Sequence, residues 1–155
     1  MEIEKKFLIR QLPKHLEQYG RIEIEQGYLC DNPVIRIRKA DDEYVLTYKS
    51  RVSHRGSEPV CINQEVELPL TRDAYEHLKK KIDGRMVEKT RYQIHYRDWL
   101  IELDVFHGAY EGMTLAEVEF SDEEEAERFI PPDWFGENVS GNRHYSNAYL
   151  ANKCL

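Results

Sequence analysis

Among the places where like charges stand two residues apart in this chain are six in period-two segments: Glu2 and Glu4, Arg36 and Arg38, Glu65 and Glu67, Lys89 and Arg91, Glu102 and Asp104, Glu117 and Glu119. In a helix, residues so spaced diverge by about 200° around the axis, whereas in a strand they share one face. Most of the enclosed residues are apolar (Ile3, Ile37, Val66, Leu103, Val118), as strand alternation requires. The amino-terminal MEIEKKF therefore reads as a strand rather than a helix or a frayed end. Glu2, Glu4 and Lys6 share one face, and Ile3, Lys5 and Phe7 the other. A half-solvated sheet accounts for any one such pair, but its outer face ordinarily mixes signs. Acid pairs on four strands and base pairs on two repel within themselves, so each set needs the opposite charge facing it.

Period-two segments rich in β-branched and aromatic residues place strands at about 1–10, 22–30, 33–40, 43–50, 60–69, 86–97, 99–107 and 114–120. Asp31-Asn32-Pro33, Asp41-Asp42 and Arg97-Asp98 supply turns for antiparallel hairpins. The stretch from Arg51 to Pro59 reads as a polar, mobile loop. One helix is expected from a Thr71 cap to about Ile82, stopped by Gly84. A second follows a capping box of Ser121 and Glu124 and ends at Pro131-Pro132. Shorter helices are expected near 14–19 and 147–154. The expectation is one α+β domain over 1–155, built on an eight-stranded antiparallel closed β-barrel with a few flanking helices.

Turned inward, the charged faces fill a lumen with Glu2, Glu4, Glu65, Glu67, Glu102, Asp104, Glu117 and Glu119, against Lys6, Arg36, Arg38, Lys49, Lys89 and Arg91. The intervening apolar residues then face outward beneath the helices. So polar an interior calls for water, ions and a ligand. Converging guanidinium and ammonium groups suit a polyphosphate, and oxygen ligands select hard cations, Mg2+ or Mn2+. Metal-assisted phosphoryl transfer to water fits both sets. The net charge of −7 argues against nucleic-acid and anionic-membrane partners. Cys30, Cys61 and Cys154 form no CxxC, which suits reduced thiols in a cytoplasmic protein; a monomer or weak homodimer is expected. No P-loop motif is present.

These residues resemble the CYTH, or triphosphate tunnel metalloenzyme, superfamily. Glu2-x-Glu4-x-Lys6 matches its ExExK signature. The likeness continues through Gln26-Gly27-Tyr28-Leu29, Arg36-x-Arg38, Lys49, Glu65-x-Glu67, Glu88 to Tyr92, Glu102 to Phe106 and Glu117 to Phe120. The resemblance implies an eight-stranded tunnel that binds triphosphates with Mg2+ or Mn2+, as in small bacterial inorganic triphosphatases. It implies Glu2, Glu4 and Glu119 as principal metal ligands. Glu117, Asp104 and Glu65 or Glu67 then hold a second metal or position the attacking water. It further implies Lys6, Arg36, Arg38, Lys49, Lys89 and Arg91 as the triphosphate cradle, and Tyr28 as a tunnel residue touching Lys6. The segment Gly141 to Asn147 resembles a carboxy-terminal plug, with Arg143 as an added phosphate contact.

The expected reaction is hydrolysis of tripolyphosphate by a metal-positioned water. Glu65, Glu67 or a Lys6 of depressed pKa would assist that water. Thiamine or nucleoside triphosphatase, class IV-type adenylate cyclase and a silent polyphosphate-binding module are the alternatives. If Lys5 faces outward with Ile3, Lys5→Ala should barely change activity where Lys6→Ala cripples it.

Overall fold

A computed structural model of the chain describes residues 1–52 and 59–152. The eight expected strands form as β1 (Glu2–Ile9), β2 (Gly20–Asp31), β3 (Val34–Ala40), β4 (Glu43–Val52), β5 (Cys61–Pro69), β6 (Asp83–Tyr96), β7 (Trp99–Phe106) and β8 (Thr114–Phe120). They pair antiparallel in the order β5-β4-β3-β2-β6-β7-β8-β1, and β1 pairs with β5 to close an eight-stranded barrel. Two-residue turns at Asn32-Pro33, Asp41-Asp42 and Arg97-Asp98 join three of the hairpins. Asp41 and Arg97 adopt positive φ there, as tight hairpin turns require.

A ninth strand, β9 (Phe135–Asn138), was not expected. β5 meets β1 only at Glu2 to Glu4, and β9 takes up the same edge at Phe7 and Ile9. It thereby covers backbone groups that would otherwise stand open.

The three helices are α1 (Arg72–Lys79), α2 (Glu123–Arg128) and α3 (Asn147–Asn152). Thr71 caps α1 through its side-chain oxygen, as expected, but the helix stops at Lys79 and Gly84 lies inside β6. Ile82 instead packs with Met86 over Gly27, where a Cβ would meet their side chains at 2.8 and 2.7 Å. The cap of α2 sits one residue later than expected: Asp122 accepts from the Glu125 N–H, and Glu125 accepts from Ser121. The segment expected near 14–19 is a 3-10 turn at Leu16–Gln18. Of the polar loop expected over 51–59, residues 53–58 lie outside the described residues, as do 153 and 154 of the helix expected near 147–154.

The apolar core lies largely outside the barrel wall. Ile3, Phe7, Ile101, Leu103, Val118 and Phe120 pack beneath Ala126, Phe129 and Phe135. Phe129 meets Phe120 and Trp99 edge to face at 5.4 and 5.1 Å. Lys5 also faces this way, but α2 covers it: it is 2 % exposed and Nζ donates to the Ala126 carbonyl at 2.7 Å. Its outward position thus gives it a structural role that the sequence reading had not assigned. Val66, expected beneath a helix, is 47 % exposed, because α1 packs on β3 and β4 instead.

A second cluster sits at one end of the barrel. Leu150 and Ala151 of α3 meet Tyr28, Val87, Phe106 and Leu115 from the strands. α3 therefore caps that end.

Candidate active site

Strand register sorts the charges onto one face. Residues opposite each other in a ladder project from the same side. Glu4 stands opposite Glu119 and Lys6 opposite Glu117. Glu117 in turn faces Glu102, Arg91 faces Asp104, and Lys49 faces Glu65. Arg38 and Arg36 stand opposite Gln26 and Tyr28. Glu67 apart, the inward set named from the sequence therefore lines one lumen.

Within that lumen, acids and bases are not evenly mixed. Single carboxylate oxygens of Glu2, Glu4 and Glu119 lie within 4.8 Å of one another. Burial first, then the Glu117 and Glu2 charges, push the Glu4 pKa up to about 7 against Lys49 and Lys6. Glu119 is exposed at the edge of the lumen, and partial desolvation there, then Glu2, Glu102 and Glu65, push its pKa up to about 7 as well. Three crowded oxygens, two of them reluctant to ionise without added positive charge, form a donor set suited to a hard divalent cation. Lys49 borders this wall, 2.8 Å from Glu2, 3.4 Å from Glu65 and 3.9 Å from Glu4. Burial would lower its pKa, but Glu4 and Glu2 raise it. Glu2 accepts from Asn63 Nδ2 at 3.0 Å, and its pKa falls because Lys49, Glu65 and Asn63 outweigh burial.

The central acids serve the bases. Asp104, 1 % exposed, accepts from Lys89 Nζ at 2.7 Å and from Arg91 Nε and Nη2 at 2.8 and 3.0 Å. Glu117 lies 3.4 Å from Lys6 and 3.3 Å from Arg91, and Glu102 lies 3.2 Å from Arg91. Among the described residues, Asp104 and Glu117 fall outside the oxygen cluster of Glu2, Glu4 and Glu119. Burial raises the pKa of both, but neighbouring cations more than reverse it, so both are held below the usual carboxylate range. Burial would likewise depress Lys6, yet Glu117 and Glu4 raise its pKa. That is opposite in direction to the depressed lysine considered from the sequence, and Lys6 keeps its proton. Its Nζ also donates to the Tyr145 carbonyl at 3.1 Å.

Across the lumen, Arg36 and Arg38 have no carboxylate partner among the described residues. Arg36 Nη2 donates to Thr47 Oγ1 at 3.1 Å, and its buried Nε has no hydrogen-bond partner. Arg38 Nε donates to Gln26 Oε1 at 2.8 Å. Burial, reinforced by Arg36 and Arg91, pushes the Arg38 pKa down to about 9. Lys89 is pushed down to about 7, chiefly by burial and partly against Asp104. It also donates to Asn147 Oδ1 at 3.3 Å, at the start of α3.

Two expected residues stand apart. Glu67 is exposed on β5, and Arg143 is exposed on a 3-10 turn, with no lumen carboxylate as its partner among the described residues. Sequence reasoning named Gln26 and Asn147 within motifs of the resemblance but gave them no role, and missed Thr47 and Asn63; all four are polar residues that hold the charged ones in place. For three of them the only local signal was a polar residue in register with the charged face: Gln26 two before Tyr28, Thr47 two before Lys49, Asn63 two before Glu65.

Comparison with known proteins agrees with this geometry. A family model described as CYTH domain matches residues 1–146. An inorganic triphosphatase from Nitrosomonas europaea is 40 % identical over 154 residues, covering 97 % of this chain and 96 % of its own. One from Acetivibrio thermocellus is 32 % identical over 151 residues, covering 96 % and 92 %. A crystal structure of an inorganic triphosphatase superposes with a TM-score of 0.70 at 37 % identity, over 99 % of this chain and 96 % of the other. A Hippeastrum protein, described as a putative adenylyl cyclase with a dominant triphosphatase activity, shares the fold at 17 % identity and TM-score 0.57, over 82 % and 83 % of the two chains.

Proposed function

The chain belongs to the CYTH domain family, and on that footing we propose that it is a metal-dependent triphosphatase whose substrate is inorganic tripolyphosphate. The observation that carries this reading is the uncompensated wall of the lumen. Among the described residues, Arg36 and Arg38 have no carboxylate partner, opposite an oxygen cluster whose one ion-pair partner is Lys49. Buried guanidinium groups without a counter-ion are costly, and an anion in the lumen would offset that cost. A polyphosphate supplies the acceptors.

Glu2, Glu4 and Glu119 would hold Mg2+ or Mn2+. When bound there, such a cation neutralises phosphate oxygens and offsets the charge that builds up during hydrolysis. The chain's own residues do the rest. Arg36, Arg38, Lys89 and Arg91 bind the phosphates, with Asp104 fixing the direction of the last two. Lys6 and Lys49, both held protonated, stabilise charge on the transferring phosphoryl group and its leaving oxygen. Glu65, whose pKa is raised by burial and by Glu2, is the carboxylate suited to accept a proton from the attacking water. Tyr28 donates a hydrogen bond to the substrate.

The test is to incubate the protein with tripolyphosphate, ATP or thiamine triphosphate plus Mg2+ or Mn2+, measuring phosphate and cAMP. Phosphate from tripolyphosphate, abolished by EDTA and by Glu4→Gln, is the expected result. Faster turnover of a nucleoside or thiamine triphosphate would move the substrate assignment. Appearance of cAMP, or binding without turnover, would overturn the reaction.

A further inference from the structure

Gln26 lies on β2 with no exposed surface, between two groups assigned above to the substrate. Its Oε1 accepts from Arg38 Nε at 2.8 Å, and its Nε2 donates to Tyr28 Oη at 3.0 Å. The direction of this chain is dictated by chemistry. A guanidinium has donors only, so the amide must turn its oxygen to Arg38. Its nitrogen then faces Tyr28, and an amide nitrogen only donates, so Tyr28 Oη must accept. The phenolic hydrogen is therefore never spent on Gln26. Nor can an ammonium such as that of Lys6 receive that hydrogen, because it has no lone pair.

We infer that Gln26 is a positioning residue that makes Tyr28 an obligatory hydrogen-bond donor into the tunnel and holds Arg38 by its Nε, leaving the terminal nitrogens of the guanidinium for phosphate. This inference rests on the triphosphatase reading for its catalytic consequence. A hydrogen bond received at Oη also polarises the phenol and strengthens its own donation. Arg38 and Tyr28 are thus tied through one amide, and substrate contacts made by either are set by the same side chain.

Gln26→Glu tests the polarity. The two side chains have nearly the same shape, but a carboxylate accepts at both ends. It would keep Arg38 and capture the Tyr28 hydrogen. Gln26→Met removes both contacts yet leaves that hydrogen free to find the substrate. Gln26→Glu and Tyr28→Phe should each lower kcat by about 10- to 100-fold, the loss of one hydrogen bond to a charged group. Gln26→Met should mainly raise KM through a loosened Arg38. The double variant Gln26→Glu/Tyr28→Phe should be no slower than either single one.

A residue that merely supports the fold predicts the reverse order, with Gln26→Met the worse enzyme. A general effect of the added negative charge predicts that Gln26→Glu costs as much on the Tyr28→Phe background as on the wild type. Either outcome overturns the inference while leaving a wild-type tripolyphosphatase standing. An inactive wild type overturns the underlying reading instead.

A neutron structure of the wild-type protein checks the polarity without any variant. It should place a Gln26 Nε2 deuterium toward Tyr28 Oη and the Tyr28 deuterium toward the tunnel. A Tyr28 deuterium directed at Gln26 would end the proposal.

Discussion

Replacing Glu4 with glutamine should make the metal-free protein more stable at alkaline pH. Glu4 is buried beside Glu2, Glu117 and Glu119, and its pKa rises from 4.5 to about 7. A group whose folded-state pKa is raised favours the fold in its protonated form. That contribution is complete below about pH 4.5 and is lost as pH rises through 7. The separation corresponds to roughly 3 kcal/mol between the two limits. Glutamine imitates the protonated carboxyl at every pH and carries no such penalty. For a chain of 155 residues, that difference is worth roughly 6–12 °C in Tm. Thermal unfolding followed by circular dichroism in EDTA should show Glu4→Gln above the wild type at about pH 8.5 and level with it near pH 4, a window set by the shift itself. Added Mg2+ should then raise the wild type and leave the variant nearly unmoved, because the lost carboxylate is a metal ligand. A variant less stable than the wild type in EDTA at alkaline pH, or a gap that ignores pH, would refute the electrostatic account of this wall.

Other variants separate chemistry from architecture. Lys5→Ala should retain kcat but lose about 1–3 kcal/mol of stability in urea unfolding, by stripping a buried hydrogen bond from α2, whereas Lys6→Ala should abolish turnover. Equal losses of activity from the two would contradict the assignment of faces in β1. Asp104→Asn leaves Lys89 and Arg91 without their shared carboxylate and should cost about 3–5 kcal/mol in the same assay. Arg36→Met should weaken tripolyphosphate binding in calorimetry about tenfold or more while leaving Tm unchanged or higher, since it removes an unpartnered donor.

The charged lumen was legible because its signal is local. Glu2 and Glu4, or Arg36 and Arg38, declare a shared strand face within three residues, and hairpin turns such as Asp41-Asp42 set the neighbours. Strand β9 was not legible: Phe135 to Asn138 carry no alternation and pair only because β1 has a free edge beyond Glu4. The partner of each acid was hidden for the same reason. Asp104 reads equally well as a metal ligand or a counter-ion until register sets it opposite Arg91. Val66 was placed under a helix because alternation gives a residue's face but not what covers it. Capping suffered a related ambiguity at Ser121 and Asp122, where two adjacent residues have oxygen side chains and the chain direction selects the second.

The central claim is that one lumen holds a cation on its acidic wall and a polyphosphate on its basic wall. A crystal structure grown with tripolyphosphate and Mn2+, recorded at the manganese absorption edge, tests it directly. The account predicts an anomalous peak among Glu2, Glu4 and Glu119, with phosphate oxygens on the guanidinium groups of Arg36 and Arg38. A manganese held instead by Asp104 and Glu117, or a polyphosphate bound outside the barrel, would contradict it.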